Sequence, residues 1–95
     1  MHEETLLRDL RRKIIEVARN EGNPSVRRVR IWIGPLAHVT PESLRRRWSE
    51  VVSGTPAENS SLQVDLSDDT ADPAAQTLRL VEMTIDDGTS PGPKD

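Results

Sequence analysis

Hydrophobic residues recur at helical spacing over the first part of the chain. Between Glu4 and Glu21 the apolar positions lie three or four residues apart, which places them on one face of an amphipathic helix. Early acidic residues favour its beginning, and Gly22 followed by Asn23-Pro24 favours its end. The predicted apolar face consists of Leu7, Leu10, Ile14, Val17 and Ala18, widened by Leu6 and Ile15.

The pattern then changes to alternation over residues 26–33, which predicts a strand with one face in the core. Val29, Ile31 and Ile33 share the core face, and Gly34-Pro35 ends the strand. By the same alternation Trp32 lies on the opposite face, where it is either covered by a helix or available as an interface anchor.

A second helix is predicted from Pro41 to about Ser53-Gly54. Thr40 is a favourable N-cap residue and Pro41 suits the first helical position. The apolar stripe places Trp48 in the core and consists of Leu44, Trp48, Val51 and Val52.

Residues 61–66 and 77–85 are predicted to form two further strands, joined by a polar loop over Ser67 to Ala75. In the last strand the apolar alternation changes phase between Leu80 and Met83, which predicts a β-bulge. Residues 86–95 have the composition of a disordered tail.

The order helix, strand, helix, strand, strand predicts an α+β fold with two helices on one face of a three-stranded mixed sheet. Strands joined through a helix pair in parallel by a right-handed crossover, and a short link favours an antiparallel third strand. A single domain over residues 1–85 is expected.

The amino-acid composition limits which kinds of binding site and which cellular location are possible for this protein. The chain has 95 residues and no cysteine, so it can form neither a disulfide nor a thiolate zinc site. It has no apolar run of membrane-spanning length, which suggests a soluble cytoplasmic protein without membrane contact. Residues 1–50 carry a formal charge of +4 and residues 51–95 one of −7, which suits a protein partner with complementary patches.

Met1, His2 and Glu3 are the candidate metal-binding residues. A free terminal amine, the backbone nitrogen of His2 and the His2 imidazole are adjacent along the chain. They can therefore bind one cation without tertiary structure to bring them together. Copper and nickel accept planar nitrogen ligands, whereas zinc prefers a tetrahedron. The helix dipole also favours the neutral imidazole that binds metals.

Other features admit plainer interpretations. His38 is either a further metal ligand or a solvated loop residue. Six arginines form either a solvated face or a docking patch: Arg27, Arg28, Arg30, Arg45, Arg46 and Arg47. These arginines are the only basis in the sequence for nucleic-acid binding. Nucleophile elbows, phosphate loops and cysteines are absent from the sequence, which argues against an enzyme.

Six short motifs occur in order along the chain: Met1-His2-Glu3, Arg28-Val29, Ile33-Gly34-Pro35-Leu36, Val39-Thr40-Pro41-Glu42-Ser43-Leu44, Gly54-Thr55-Pro56-Ala57-Glu58 and Leu78-Arg79-Leu80. Together they resemble the HypA family of nickel metallochaperones for hydrogenase maturation. The resemblance runs from Met1 to about Ile85.

The resemblance implies a nickel-delivery protein in which His2 is the indispensable nickel(II) ligand. It further implies help from backbone nitrogens of Met1 and His2, with Glu3 as a ligand or a supporting group. The implied partners are a HypB-like GTPase and the hydrogenase large subunit precursor.

One departure from the family is large. HypA proteins insert a zinc domain with two Cys-x-x-Cys pairs between their last two strands, and here loop 67–75 stands in its place. No zinc is therefore expected. A metal-free adaptor domain in a maturation complex is the alternative to a nickel carrier, and a nucleic-acid binder is a more distant one.

Overall fold

Helix α1 extends over Glu3–Asn20 in the computed structural model, which describes residues 3–86. It ends in a turn in which Gly22 has a φ of 86° and the Asn23 N–H donates to the Ala18 carbonyl at 2.7 Å. The predicted end at Glu21 therefore lies in this turn, where only glycine and asparagine adopt positive φ at low cost. The buried residues of α1 all belong to the predicted apolar face: Leu6, Leu7, Leu10, Ile14 and Ala18.

Strand β1, Ser25–Ile33, is the central strand of a three-stranded sheet. Strand β2, Ser61–Leu66, pairs with it in parallel, and helix α2, Pro41–Val52, connects the two. Strand β3, Leu78–Asp86, pairs with the other side of β1 in antiparallel orientation. The predicted α+β fold with two helices and a mixed sheet is confirmed.

The core lies between the sheet and the two helices. Helix α1 packs against β3 and α2, and α2 also packs against β2. Trp48 is 8% exposed, so its predicted place in the core is confirmed. The strands contribute the fully buried Val26, Val29, Ile31 and Ile33.

The other face of the sheet carries charged residues around Trp32. The guanidinium carbon of Arg79 lies 4.8 Å from the Trp32 ring centroid, a cation–π distance. Arg30 donates from Nε to Asp65 Oδ2 at 2.6 Å. The predicted position of Trp32 outside the core is confirmed, and its ring is covered by an arginine of the neighbouring strand instead of a helix.

The predicted bulge in β3 is confirmed. Glu82 and Leu80 lie opposite consecutive residues of β1, so Val81 has no counterpart there. Because of this extra residue, Leu80 and Met83 both pack towards the core. Arg79 stacks on Trp32, and Glu82 Oε1 lies 3.9 Å from Arg30 Nη1. The charged side chains of Arg79 and Glu82 therefore both lie on the outer face of the sheet.

Helix α2 begins as its sequence predicts. Thr40 has extended backbone angles, and its Oγ1 accepts a hydrogen bond from the Ser43 N–H at 3.0 Å. Pro41 follows as the first helical residue, where its missing N–H costs nothing.

We expect Thr40→Ala to destabilise the protein by about 1 kcal/mol, because one N–H at the start of α2 loses its acceptor. Urea unfolding measures this loss. Thr40→Ser keeps the hydroxyl and is expected to retain most of the stability. Equal losses in the two variants would show that the cap is not the cause.

The far end of α2 is held by α1. Arg11 donates from Nη1 to the carbonyl oxygens of Val51 at 2.8 Å and Ser53 at 2.7 Å. The last carbonyls of a helix lack partners within it, so a cation at this position both satisfies them and complements the helix dipole.

The chain after β2 returns to the end of β1. Gly34 donates from its N–H to the Thr77 carbonyl at 2.9 Å, and Leu36 donates to the Ala75 carbonyl at 2.8 Å. The loop predicted over 67–75 thus continues to Thr77. Gly34 itself is buried in this contact.

Strand β3 continues to Asp86, the first residue of the predicted tail, and residues 87–95 lie outside the described residues. Neither helix has the length and apolar character that crossing a membrane would require, as judged over residues 3–86.

Candidate metal centre at the start of helix α1

Glu3, the first described residue, ties the start of α1 to α2. Its Oε2 accepts a hydrogen bond from the Ser43 hydroxyl, and its Oε1 accepts one from Arg47 Nη1 at 3.3 Å. Arg47 also donates from Nε to Glu50 Oε1 at 3.0 Å. The side chains of Glu3 and Arg47 are each 30% exposed. The residue that follows His2 is therefore held by two side chains of α2, one of which is itself positioned by Glu50.

These contacts keep the Glu3 carboxylate charged. The hydrogen bond from Ser43 lowers the pKa of Glu3 below its ordinary value of 4.5, and the hydrogen bond and charge of Arg47 lower it further, against partial desolvation, which raises it. A negative charge in the first helical turn also suits the dipole of α1. The anchor is thus ionic at neutral pH.

We expect Glu3→Gln to lower stability at neutral pH, and the difference from the native protein to shrink in acid. Because the folded-state pKa of Glu3 lies below the unfolded-state value near 4.5, the carboxylate stabilises the fold above that pH. The contribution is lost as the pH falls through the folded-state pKa. Urea unfolding at neutral and acidic pH measures both effects.

Glu4→Gln is the matched control, since Glu4 is exposed in the same helical turn. Its effect is expected to be small at every pH. A Glu3→Gln loss that stays constant on acidification would contradict the assignment of the effect to the carboxylate charge.

Two of the three predicted metal-binding residues, Met1 and His2, lie outside the described residues. The predicted site at Met1, His2 and Glu3 therefore stays a prediction, with the position of Glu3 known. His38 is exposed in the loop between β1 and α2. Over residues 3–86, no group of three or more His, Cys, Asp or Glu side chains is arranged to hold a metal.

Sequence reasoning missed Ser43 and Arg47 as partners of Glu3. They lie four residues apart on α2, so they share one face of that helix and both reach the same carboxylate. The four-residue spacing was visible in the sequence. The crossing of α2 over the start of α1 was not.

Comparison with known proteins identifies the family. Residues 1–72 match the family model described as "Hydrogenase/urease nickel incorporation, metallochaperone, hypA". The matched residues include Met1, His2 and Glu3, and also Ser43 and Arg47.

The chain is also similar to individual HypA proteins. The chain is 41% identical over 64 residues to hydrogenase maturation factor HypA of Acidithiobacillus ferrooxidans, which covers 67% of this chain and 57% of that protein. It is 34% identical over 65 residues to the HypA of Rhizobium leguminosarum, covering 68% of this chain and 58% of the relative. The HypA of Methylocella silvestris is 33% identical over 66 residues, with 70% and 58% covered.

The chain therefore spans a little under three fifths of the relatives that it matches, and the matched part contains α1, β1, α2 and β2. On the family match and these identities, the chain belongs to the HypA family of hydrogenase maturation factors.

Proposed function

We propose that this chain is a nickel-binding metallochaperone module that assists the maturation of a nickel-iron hydrogenase. The family description names nickel incorporation, and the relatives are named hydrogenase maturation factors. Nickel(II) is then the cargo of the protein, and the chain acts by binding and transfer without catalysis of its own.

In a chain whose amino terminus is Met1, the ligands are the terminal amine, the backbone nitrogen of His2 and the His2 imidazole. These nitrogens suit the planar coordination that nickel(II) accepts. Recruiting a backbone nitrogen here costs no helical hydrogen bond, because the first N–H groups of a helix have no partner within it.

The observation that carries this proposal is the anchoring of Glu3. Both of its carboxylate oxygens accept hydrogen bonds from α2, which fixes the residue next to His2. With Glu3 held in place, binding of a cation by the two residues before it would cost less conformational entropy. The contacts favour Glu3 as a supporting group, since it would have to release Ser43 or Arg47 to bind nickel.

The partners that this function requires are a HypB-like GTPase and the hydrogenase large subunit precursor, in the cytoplasm. Support for them comes from the family alone. The helical side of the domain, where α1 and α2 meet, is the surface next to the proposed metal site.

Calorimetry with nickel tests the proposal on protein whose chain begins at Met1. We expect one equivalent of nickel to bind tightly, and an added amino-terminal tag to abolish this binding because it removes the terminal amine. Zinc is expected to bind more weakly, since it prefers a tetrahedral ligand set. Untagged protein that fails to bind nickel would overturn the proposal.

A metal-free interaction domain is the second candidate function. The observation that favours it is the outer face of the sheet, where Trp32 lies beneath Arg79 with no helix of the described residues over it. The same calorimetry separates the two functions. Nucleic-acid binding is less favoured, because Arg30 and Arg47 are engaged by carboxylates, and only a gel shift with steep salt dependence would support it.

A further inference from the structure

Strand β3 forms one edge of the sheet. Over residues 3–86 it pairs with β1 alone, so the N–H and C=O groups of its other side have no strand partner. Edge strands of this kind readily pair with a strand from another chain. Val81, in the middle of β3, is 50% exposed and is one of the few large apolar residues at the surface of the described chain.

An apolar groove runs beside this edge. It lies between α1 and β3 and has a volume of about 340 Å³, and four of the eight residues that line it are leucines. The leucines are Leu6, Leu10, Leu78 and Leu80. The edge therefore presents both unpaired backbone groups and apolar surface.

The sequence of β3 is complementary to itself. Read in one direction, Leu78-Arg79-Leu80 is apolar, cationic, apolar, and read from the other end, Met83-Glu82-Val81 is apolar, anionic, apolar. If two copies of β3 pair in antiparallel orientation about a twofold axis between Leu80 and Val81, Arg79 of each copy lies opposite Glu82 of the other.

The bulge allows Arg79 and Glu82 to face each other in this register. Opposite residues of an antiparallel pair point to the same face, and in a regular strand residues 79 and 82 would point to opposite faces. Because Val81 is an extra residue, Arg79 and Glu82 both lie on the outer face, and Leu78, Leu80 and Met83 lie on the core side. A slip by one residue in either direction would place both charges opposite apolar residues.

We propose that β3 is a homodimerisation strand that pairs with β3 of a second copy of this chain in that register. The two sheets then form one continuous sheet, with two symmetric Arg79–Glu82 pairs on its outer face. Leu78 lies opposite Met83 of the second copy, and the groove beside α1 is closed on both sides of the axis. This strand begins after residue 72, where the match to the family model ends.

Charge reversal tests the pairing. Arg79→Glu places glutamates opposite each other at both symmetric positions, and Glu82→Arg does the same with arginines. Like charges directly opposite destabilise a strand pair, so each variant is expected to raise the dimer dissociation constant by roughly tenfold or more. Sedimentation equilibrium of the untagged full chain, over a wide concentration range, measures it.

Mixing the two variants gives the decisive result. The two glutamates of one chain then lie opposite the two arginines of the other, so we expect a one-to-one heterodimer with native-like affinity. The double variant Arg79→Glu/Glu82→Arg is expected to form a homodimer again. Gln63→Glu, which introduces the same residue on the opposite edge strand β2, is the matched control and should leave dimerisation unchanged.

Backbone hydrogen exchange of the native chain gives a second readout that does not depend on the variants folding. Amides of residues 78–84 should gain protection as protein concentration rises. A native chain that stays monomeric, a dimer that is insensitive to both reversals, or β3 amides whose protection does not change with concentration would each overturn the proposal.

Discussion

Replacing His2 by alanine is expected to abolish tight nickel binding by this protein while leaving its fold intact. The substitution removes the imidazole, which is the one side-chain nitrogen of the proposed ligand set. Loss of groups that only orient a metal ligand typically costs 10–100-fold in affinity, so loss of the ligand itself is expected to exceed about 100-fold. Calorimetry and equilibrium dialysis with nickel measure the change.

The matched control is His38→Ala. His38 is the only other histidine of the chain and is exposed in the loop before α2, so its removal is expected to leave nickel affinity and stability close to native. His2→Ala protein that binds nickel as well as native protein would refute the proposed ligand set. If His38→Ala instead removed binding, the site would include the β1–α2 loop.

Gly34→Ala is expected to give the largest loss of stability among the substitutions considered. A β-carbon at this position would lie 2.9 Å from the Ala74 carbonyl oxygen and closer still to that of Ala75. Both obstacles are backbone atoms, and hydrogen bonds from Gly34 and Leu36 hold the segment in place. We expect a cost of about 3 kcal/mol, which lowers the melting temperature by roughly 12–24 °C in a domain of this size.

Gly22→Ala separates this steric effect from the general cost of replacing glycine. Gly22 has a φ of 86°, but no atom beyond Gly22 and its two chain neighbours lies within 4 Å of the position that a β-carbon would take. Its substitution therefore costs only backbone strain, about 1 kcal/mol. Thermal unfolding of the two variants should rank Gly34→Ala well below Gly22→Ala. The reverse order would mean that the return of loop 67–77 to β1 is looser than the structure shows.

Local signals made the elements of this fold predictable. The leucine spacing of α1, Thr40-Pro41 before α2 and the phase change in β3 each have a cause that operates within a few residues. The sequence also predicted which side of β1 is buried, because Val29, Ile31 and Ile33 alternate with polar residues. Helix ends shifted by a residue or so, because turn geometry decides them.

The interactions that position the candidate site were not predictable in the same way. The contacts of Glu3 with Ser43 and Arg47 span 40 residues or more, as does that of Arg11 with Val51. Such pairs depend on how two helices cross, and amphipathic patterns define the buried face of each helix without defining its neighbour. The nickel ligands themselves were suggested by chemistry at the chain start and by family resemblance, and they stay a prediction.

The two helices are joined at two separate points along their length, at Glu3 and at Arg11, which lie about two turns apart on α1. Sliding α1 along α2 by even one turn would break both attachments together, so the pair resists shear. If the segment after α2, around Ser53, is displaced, the two helices would therefore move with it as one rigid unit, including the start of α1 at Glu3.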